Sequence, residues 1–242
     1  MRVRTFAKRN LLEILRDPLS IGFMLGFPAA LLLLLSAIQA HIPVDLFEPE
    51  RLTPGITVFG LAFLSLFSAT LIARDRESAF LHRLYATPMT ARDFLFGYTL
   101  PLLPLAVGQS AVCYLLALPL GLKPTVTILY AVLCIVPVSV LYIAIGLLCG
   151  SVLTVKQTGG ICGALLTNLS AWLSGIWFDL DLIGGAFRRA AYCLPFVHAV
   201  ELERAALRGD FAAIPPHLLW VAAYAVVLLA LAAVLFVRQM RR

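Results

Sequence analysis

The chain has 242 residues, of which 61% are hydrophobic and 13% charged, with a formal net charge of +6. Soluble domains carry about 25% charged residues, so a water-soluble fold is excluded: too much apolar surface would remain, and the solvent must be lipid. The length allows one membrane domain, residues 1–242, and leaves no room for a second, catalytic domain.

Asp, Glu, Lys and Arg are missing from six runs: 18–44, 52–73, 94–122, 124–155, 157–178 and 211–237. A helix needs about 20 apolar residues to cross a hydrocarbon core of about 30 Å. The runs hold 22 to 32 residues, enough for one crossing each and too few for two. A spanning backbone must satisfy its own hydrogen bonds, which leaves helices or closed barrels. Barrel strands alternate in hydrophobicity, and the five leucines at 31–35 do not.

In chain order, residues 1–17 predict an amphipathic helix. Val3, Phe6, Ala7, Leu11 and Ile14 share one side, with Arg2, Thr5, Arg9, Glu13 and Arg16 opposite, and Asp17-Pro18 ends it. Such a helix lies in the headgroup plane. The first span is 20–40 and the second 54–73. The loop 74–93 contains a helical pattern over 76–86, with Phe80 and Leu84 one turn apart, closed by Thr87-Pro88. This helix either packs on the protein's own base or docks a cytoplasmic partner. Thr90-x-x-Asp93 has the form of a capping box opening the third span, 94–119, where Pro101, Pro104 and Pro119 predict kinks.

The fourth span, 126–150, contains Pro137 and ends in Gly146-x-x-x-Gly150. That spacing, repeated at Gly22/Gly26 and Gly159/Gly163, reads as close helix packing within the chain. A turn at 151–154 and Lys156 lead into the fifth span, 157–177. The segment 179–210 holds an uncharged stretch at 190–200, too short to span. It reads as a re-entrant helical hairpin broken at Leu194-Pro195, resumed over 197–207 and stopped at Gly209-Asp210. The sixth span, 217–237, follows Pro215-Pro216 and ends in Arg238, Arg241 and Arg242.

Lys and Arg set the orientation. With six spans, the segments on the side of the termini hold 13 Lys/Arg and a net charge of +8, and the opposite side 6 and −2. Both termini are therefore expected in the cytoplasm. The overall +6 reads as topology and contact with anionic headgroups, not as nucleic-acid binding.

Little catalytic chemistry is written in the chain. It shows no zinc motif, nucleophile elbow or P-loop, so no enzymatic activity of its own is expected. His41, His82, His198 and His217 fall in different segments, which predicts no metal site. Four cysteines lie in spans and Cys193 stands alone outside, which predicts no disulfide framework. Ion-coupled carriers use charged groups inside the membrane, and the span interiors have none.

The order of these parts resembles the permease subunits of ABC-2 type transporters over nearly the whole chain. Arg76-Glu77 followed by Leu84-Tyr85-Ala86-Thr87-Pro88 is similar to the family's Arg-Glu and Leu-Leu-Ala-Thr-Pro pattern. Leu194-Pro195-Phe196-Val197-His198-Ala199-Val200-Glu201 through Arg204 looks like its Asn-Pro-Leu-Thr-Tyr-Ala-Val-Glu before the last span. Ser78-Ala79, His82-Arg83, Leu194 and His198 depart from it.

The resemblance implies an all-α integral membrane fold of the type V exporter kind. It has six transmembrane helices, an in-plane N-terminal helix, a cytoplasmic coupling helix and an outer re-entrant hairpin. It implies a cell (inner) membrane exporter permease that works as a homodimer with a separate P-loop ATPase. That partner would hold ATP and Mg, and this chain would bind no cofactor. Arg76, Glu77, Phe80, Leu81, Arg83 and Leu84 would couple to the ATPase. Thr57, Ser65, Ser68, Thr167, Asn168 and Ser170 would line a largely apolar pathway suited to a lipid-like or amphipathic drug-like cargo. Pro195, His198, Glu201 and Arg204 would form an outer gate. An ion-coupled carrier without an ATPase, or a non-transporting docking or sensor subunit, stand as alternatives.

Overall fold

The computed structural model describes residues 2–42, 45–78, 80 and 90–240, without the side chains of Arg2, Leu46 and Met240. Among these residues every regular element is helical.

Helix α1, Arg2–Leu15, buries Phe6, Asn10 and Ile14 at four-residue spacing and packs chiefly on 91–99. Asn10 was not part of the expected apolar face. It lies inside because its amide donates to the carbonyl of Gly97 at 2.9 Å. Asp17 caps the next helix by accepting from the Ser20 amide at 3.1 Å and the Ser20 hydroxyl at 2.7 Å. These bonds to Ser20 hold its carboxyl below the usual carboxylate range.

Helix α2 runs Pro18–His41. Pro28 cannot donate to the carbonyl of Met24, and the helix widens to a π form over Gly22–Gly26 just before it. Gly22 and Gly26 meet nothing there, so this Gly-x-x-x-Gly pair makes no close packing contact among the described residues. Helix α3, Pro49–Glu77, is the axis of the molecule. Its 29 residues rise about 43 Å, and most of them are buried against α2 and the later helices.

Helix α4, Ala91–Ala117, begins with the expected capping box. Asp93 accepts from the Thr90 amide at 2.9 Å, and Thr90 Oγ1 accepts from the Asp93 amide at 3.3 Å. It is interrupted between Thr99 and Leu103, around Pro101, where a proline removes a helical donor. Helix α5, Thr127–Val152, lies along α3. Gly146 makes that possible: a Cβ there would stand 2.2 Å from Ser68 Oγ and 2.5 Å from the Ser65 carbonyl oxygen. This is the close packing predicted for Gly146-x-x-x-Gly150.

Helix α6 covers 155–173 in three pieces, Val155–Thr158, a π stretch Gly159–Leu166, and Thr167–Leu173. A second capping box, Thr154 with Gln157, opens it. The fifth span was expected over 157–177, and the helix ends at Leu173 in a turn with Gly175 at positive φ. Among the described residues five helices are long and apolar enough to cross a membrane: α2, α3, α4, α5 and the last helix, α10, Ile214–Met240. Helix α6 is not one of them, because Lys156, Gln157, Asn168 and three Ser/Thr residues dilute its hydropathy.

Between α6 and α10 stand α7, Leu180–Ile183, α8, Gly185–Cys193, and α9, Pro195–Arg208. The break at Leu194-Pro195 falls where proline puts its predecessor in an extended conformation, φ −101° and ψ 155°. The stop at Gly209-Asp210 is made by backbone bonds to Ala206 and Ala205. Helix α9 is buried along nearly its whole length against α3, α5 and α10.

Candidate functional site

Three groups of polar residues interrupt the apolar interior. The first is where α3 ends. Asp75 is 2% exposed. Its carboxylate accepts from both terminal nitrogens of Arg9, at 2.6 and 2.7 Å, and from the Tyr98 hydroxyl at 2.7 Å. Arg9 also pairs with Glu13 at 2.6 Å and lies 4.4 Å over the ring of Phe80. Partial burial works against the Arg9 charge, but the bond to Asp75 and the charges of Asp75 and Glu13 outweigh it and raise its pKa. Phe6 stacks on Phe80 and meets Tyr98 edge-on at 4.9 Å. It fits because position 97 is glycine, where a Cβ would stand 2.1 Å from the Phe6 ring.

The next two residues turn the other way. Arg76 donates to the carbonyls of Ser151 and Leu153 at the end of α5, and Gln239 of α10 donates to the same Ser151 carbonyl at 2.7 Å. Glu77 accepts from the Val155 amide at 2.9 Å, at the start of α6. A cation thus meets the carbonyl end of one helix and an anion the amide end of the next, both favoured by the helix dipoles. The end of α3 is therefore a fork. Asp75 ties it to α1 and α4, and Arg76 and Glu77 tie it to α5 and α6, at a carbonyl that α10 shares through Gln239.

The polar groups of Arg76 and Glu77 are engaged by the chain's own α5–α6 turn, and Phe80 by α1. The remaining expected coupling residues, Leu81, Arg83 and Leu84, lie outside the described residues, as does most of the helix expected over 76–86.

The second group comprises the six residues expected along a pathway, which lie on α3 and α6. Thr57, Ser65 and Ser68 are buried. Thr57 bonds to the Thr53 carbonyl at 2.7 Å, and its own carbonyl accepts from Gln109 of α4 at 3.0 Å. Ser68 faces the Ile143 carbonyl of α5 at 3.5 Å. Ser170 meets the hydroxyl of Tyr142, and Thr167 bonds to the Cys162 carbonyl at 3.1 Å. Asn168 alone of the six is exposed, on the outward face of α6.

The third group is at the opposite end. Arg204 is 7% exposed and reaches three elements: Glu201 at 2.9 Å, the Arg51 carbonyl at 3.3 Å and the Gly175 carbonyl at 3.2 Å. A cavity of about 210 Å³ opens among Arg51, Asp179, Asp181, Glu201 and Arg204. His198 and His217, expected to be apart, stand Nδ1 to Nδ1 at 2.9 Å. The Tyr192 carbonyl, 3.0 Å from His198 Nε2, can only accept, so that nitrogen carries a proton. The His198 ring stacks on Trp220 at 5.0 Å. Pro195 starts the helix that carries these residues. Among the described residues no three His, Cys, Asp or Glu side chains are grouped to hold a metal ion.

Glu203 was missed by sequence reasoning. It is fully buried, its Oε2 accepts from the Tyr114 hydroxyl at 3.1 Å, and its Oε1 has no partner among the described residues. Burial pushes its carboxyl well above the usual range. The signal was its helical position: Glu203 continues the stripe of Phe196, Val200 and Leu207, at spacings of seven, three and four residues.

A family model described as ABC-2 type transporter matches residues 1–207. No individual curated protein matches the chain.

Proposed function

For a chain that belongs to the ABC-2 type transporter family, and so is a multi-pass transporter permease subunit, we propose the role of membrane subunit of an ATP-driven exporter. The fork at Asp75, Arg76 and Glu77 carries this reading. The chain enters the loop 74–93 directly from it, and a push on that loop would be delivered at once to α1 and α4 and to α5 and α6. A separate P-loop ATPase, holding ATP and Mg, would supply the push by receiving a coupling helix around Leu81, Arg83 and Leu84. In this reading Arg76, Glu77 and Phe80 transmit the motion, and the residues after them make the contact.

We take α6 as a sixth crossing, with both termini cytoplasmic, α1 in the headgroup plane of the inner membrane and the hairpin 179–210 as the outer gate. Outward-facing Gly160, Ala164, Leu165, Asn168 and Trp172 leave one face of α6 unpartnered among the described residues. A second copy meeting this face would bury Asn168 between protomers and explain why α6 is short and polar. The apolar surround of such a pathway suits a lipid-like or amphipathic drug-like cargo.

The test is co-purification with a P-loop ATPase, which this reading expects to be encoded beside this chain. Leu84→Asp should abolish binding while leaving the permease folded, and Arg76→Ala should leave binding intact but remove cargo-stimulated ATP hydrolysis. Retained binding by Leu84→Asp would overturn the docking assignment. A second reading, ion-coupled carriage without an ATPase, rests on Glu203 as a buried titratable group. Gradient-driven uptake by the chain alone in proteoliposomes would select it.

A further inference from the structure

A groove of about 600 Å³ runs between α4 and α5. Leu115 and Leu118 form one wall, Leu129 and Val132 the other, and buried Tyr114 lies at its base. The walls are open to the surroundings, with Leu115 65% exposed. At the end of these helices a second cavity, about 310 Å³, is bordered by Lys123, Arg208 and Glu50. Thr125 borders both, so the two form one depression, apolar along the helices and cationic at the end. Lys123 makes no ion pair among the described residues, and Arg208 reaches Glu201 only at 3.7 Å. Two cations against Glu50 leave the pocket positive. Tyr130 and Phe211 pack edge to face at 5.2 Å beside it, both exposed, as aromatic residues do at headgroup depth.

We propose that this depression seats one anionic phospholipid, with its phosphate at Lys123 and Arg208 and an acyl chain in the groove between α4 and α5. The dimensions fit. From Leu118 to Ala111, the last α4 residue lining the groove, seven residues rise about 10 Å. Half of a hydrocarbon core of about 30 Å is about 15 Å, so the groove stays within one leaflet. An occupant must bring an anion to headgroup depth and an apolar chain below it, which a soluble anion or a polar peptide does not. The site stands on the membrane setting alone and requires no ATPase, cargo or assigned orientation.

The purified full-length chain in detergent is titrated with phosphatidylglycerol, and separately with phosphatidylcholine, and lipid retention is read by native mass spectrometry. One phosphatidylglycerol per chain should be retained in preference to phosphatidylcholine. Lys123→Gln with Arg208→Gln, both at exposed positions, should weaken phosphatidylglycerol by about thirtyfold, two surface charges' worth, and leave phosphatidylcholine unchanged. Ala111→Phe, which fills the groove, should weaken both lipids, with an unchanged melting temperature as the check on folding. Equal retention of the two lipids by the wild type, an unchanged preference in the double variant, displacement by glycerophosphoglycerol alone, or occupation of the groove by a second copy of the chain would each overturn the proposal.

Discussion

Asp75→Ala removes the centre of the inner fork, and its cost can be worked from the contacts. The carboxylate is nearly fully buried and accepts one bond from Tyr98 and two from Arg9. The Tyr98 bond contributes about 1 kcal/mol. The Arg9 pair counts for less than a buried ion pair, because Arg9 keeps 35% side-chain exposure and retains Glu13 at 2.6 Å. About 1–2 kcal/mol is appropriate for such a half-solvated bidentate pair. Asp75→Ala should therefore destabilise by about 2–3 kcal/mol, and Asp75→Asn, which keeps one acceptor oxygen, by about half that. Reversible unfolding in mixed detergent–SDS micelles measures both. A double-mutant cycle with Arg9→Met should give a coupling energy of at least about 1 kcal/mol. In a complex reconstituted with the proposed ATPase the variant should still bind that subunit but lose cargo-stimulated hydrolysis. A loss under about 0.5 kcal/mol, with no coupling in the cycle and stimulation retained, would refute the fork as a mechanical junction.

Three further outcomes are expected. Gly146→Leu forces a side chain onto Ser68 and the Ser65 carbonyl, and overpacking of this seam should cost about 3 kcal/mol or prevent folding, read as a lowered melting temperature or loss of monodisperse protein. Burial raises the Glu203 carboxyl above its unfolded value, so the folded state binds the proton more tightly. Stability should then be greatest below the unfolded pKa of about 4.3 and fall as pH rises above it. Glu203→Gln should flatten a series of melting curves across that range, and a wild-type curve flat from pH 4 to 7 would refute the assignment. Arg204→Lys keeps the charge but not the planar fork that reaches Glu201, Arg51 and Gly175 at once. A loss of about 2 kcal/mol is expected, and a fully stable Arg204→Lys would show that charge alone suffices.

Much of the architecture was legible because lipid imposes its demands locally. A charge-free run, a proline, or Thr90 three residues before Asp93 carries its meaning within a few neighbours. The breaks at Pro195 and Gly209 could be read for the same reason. Helix α6 shows where that locality ends. The absence of charge in 157–178 made a full span the simplest reading. Gln157, Asn168 and the Ser/Thr residues between them make the helix the least apolar of the series, and the chain leaves it at Leu173.

Partners distant in sequence were not legible. Arg9 and Asp75 stand 66 residues apart, and His198 meets His217 only because α9 folds back along α10. Arg76 and Glu77 are the instructive case. As a charged dipeptide at a loop they read as solvent- or partner-facing, and nothing local distinguishes that role from a bond to backbone. What the sequence lacked was the position of the α5–α6 turn, whose end carbonyls and first amides need a donor and an acceptor side by side. Adjacent residues of opposite charge meet that need. The same two side chains therefore serve the fold, fixing the end of α3 against the last turn of α5 and the first turn of α6.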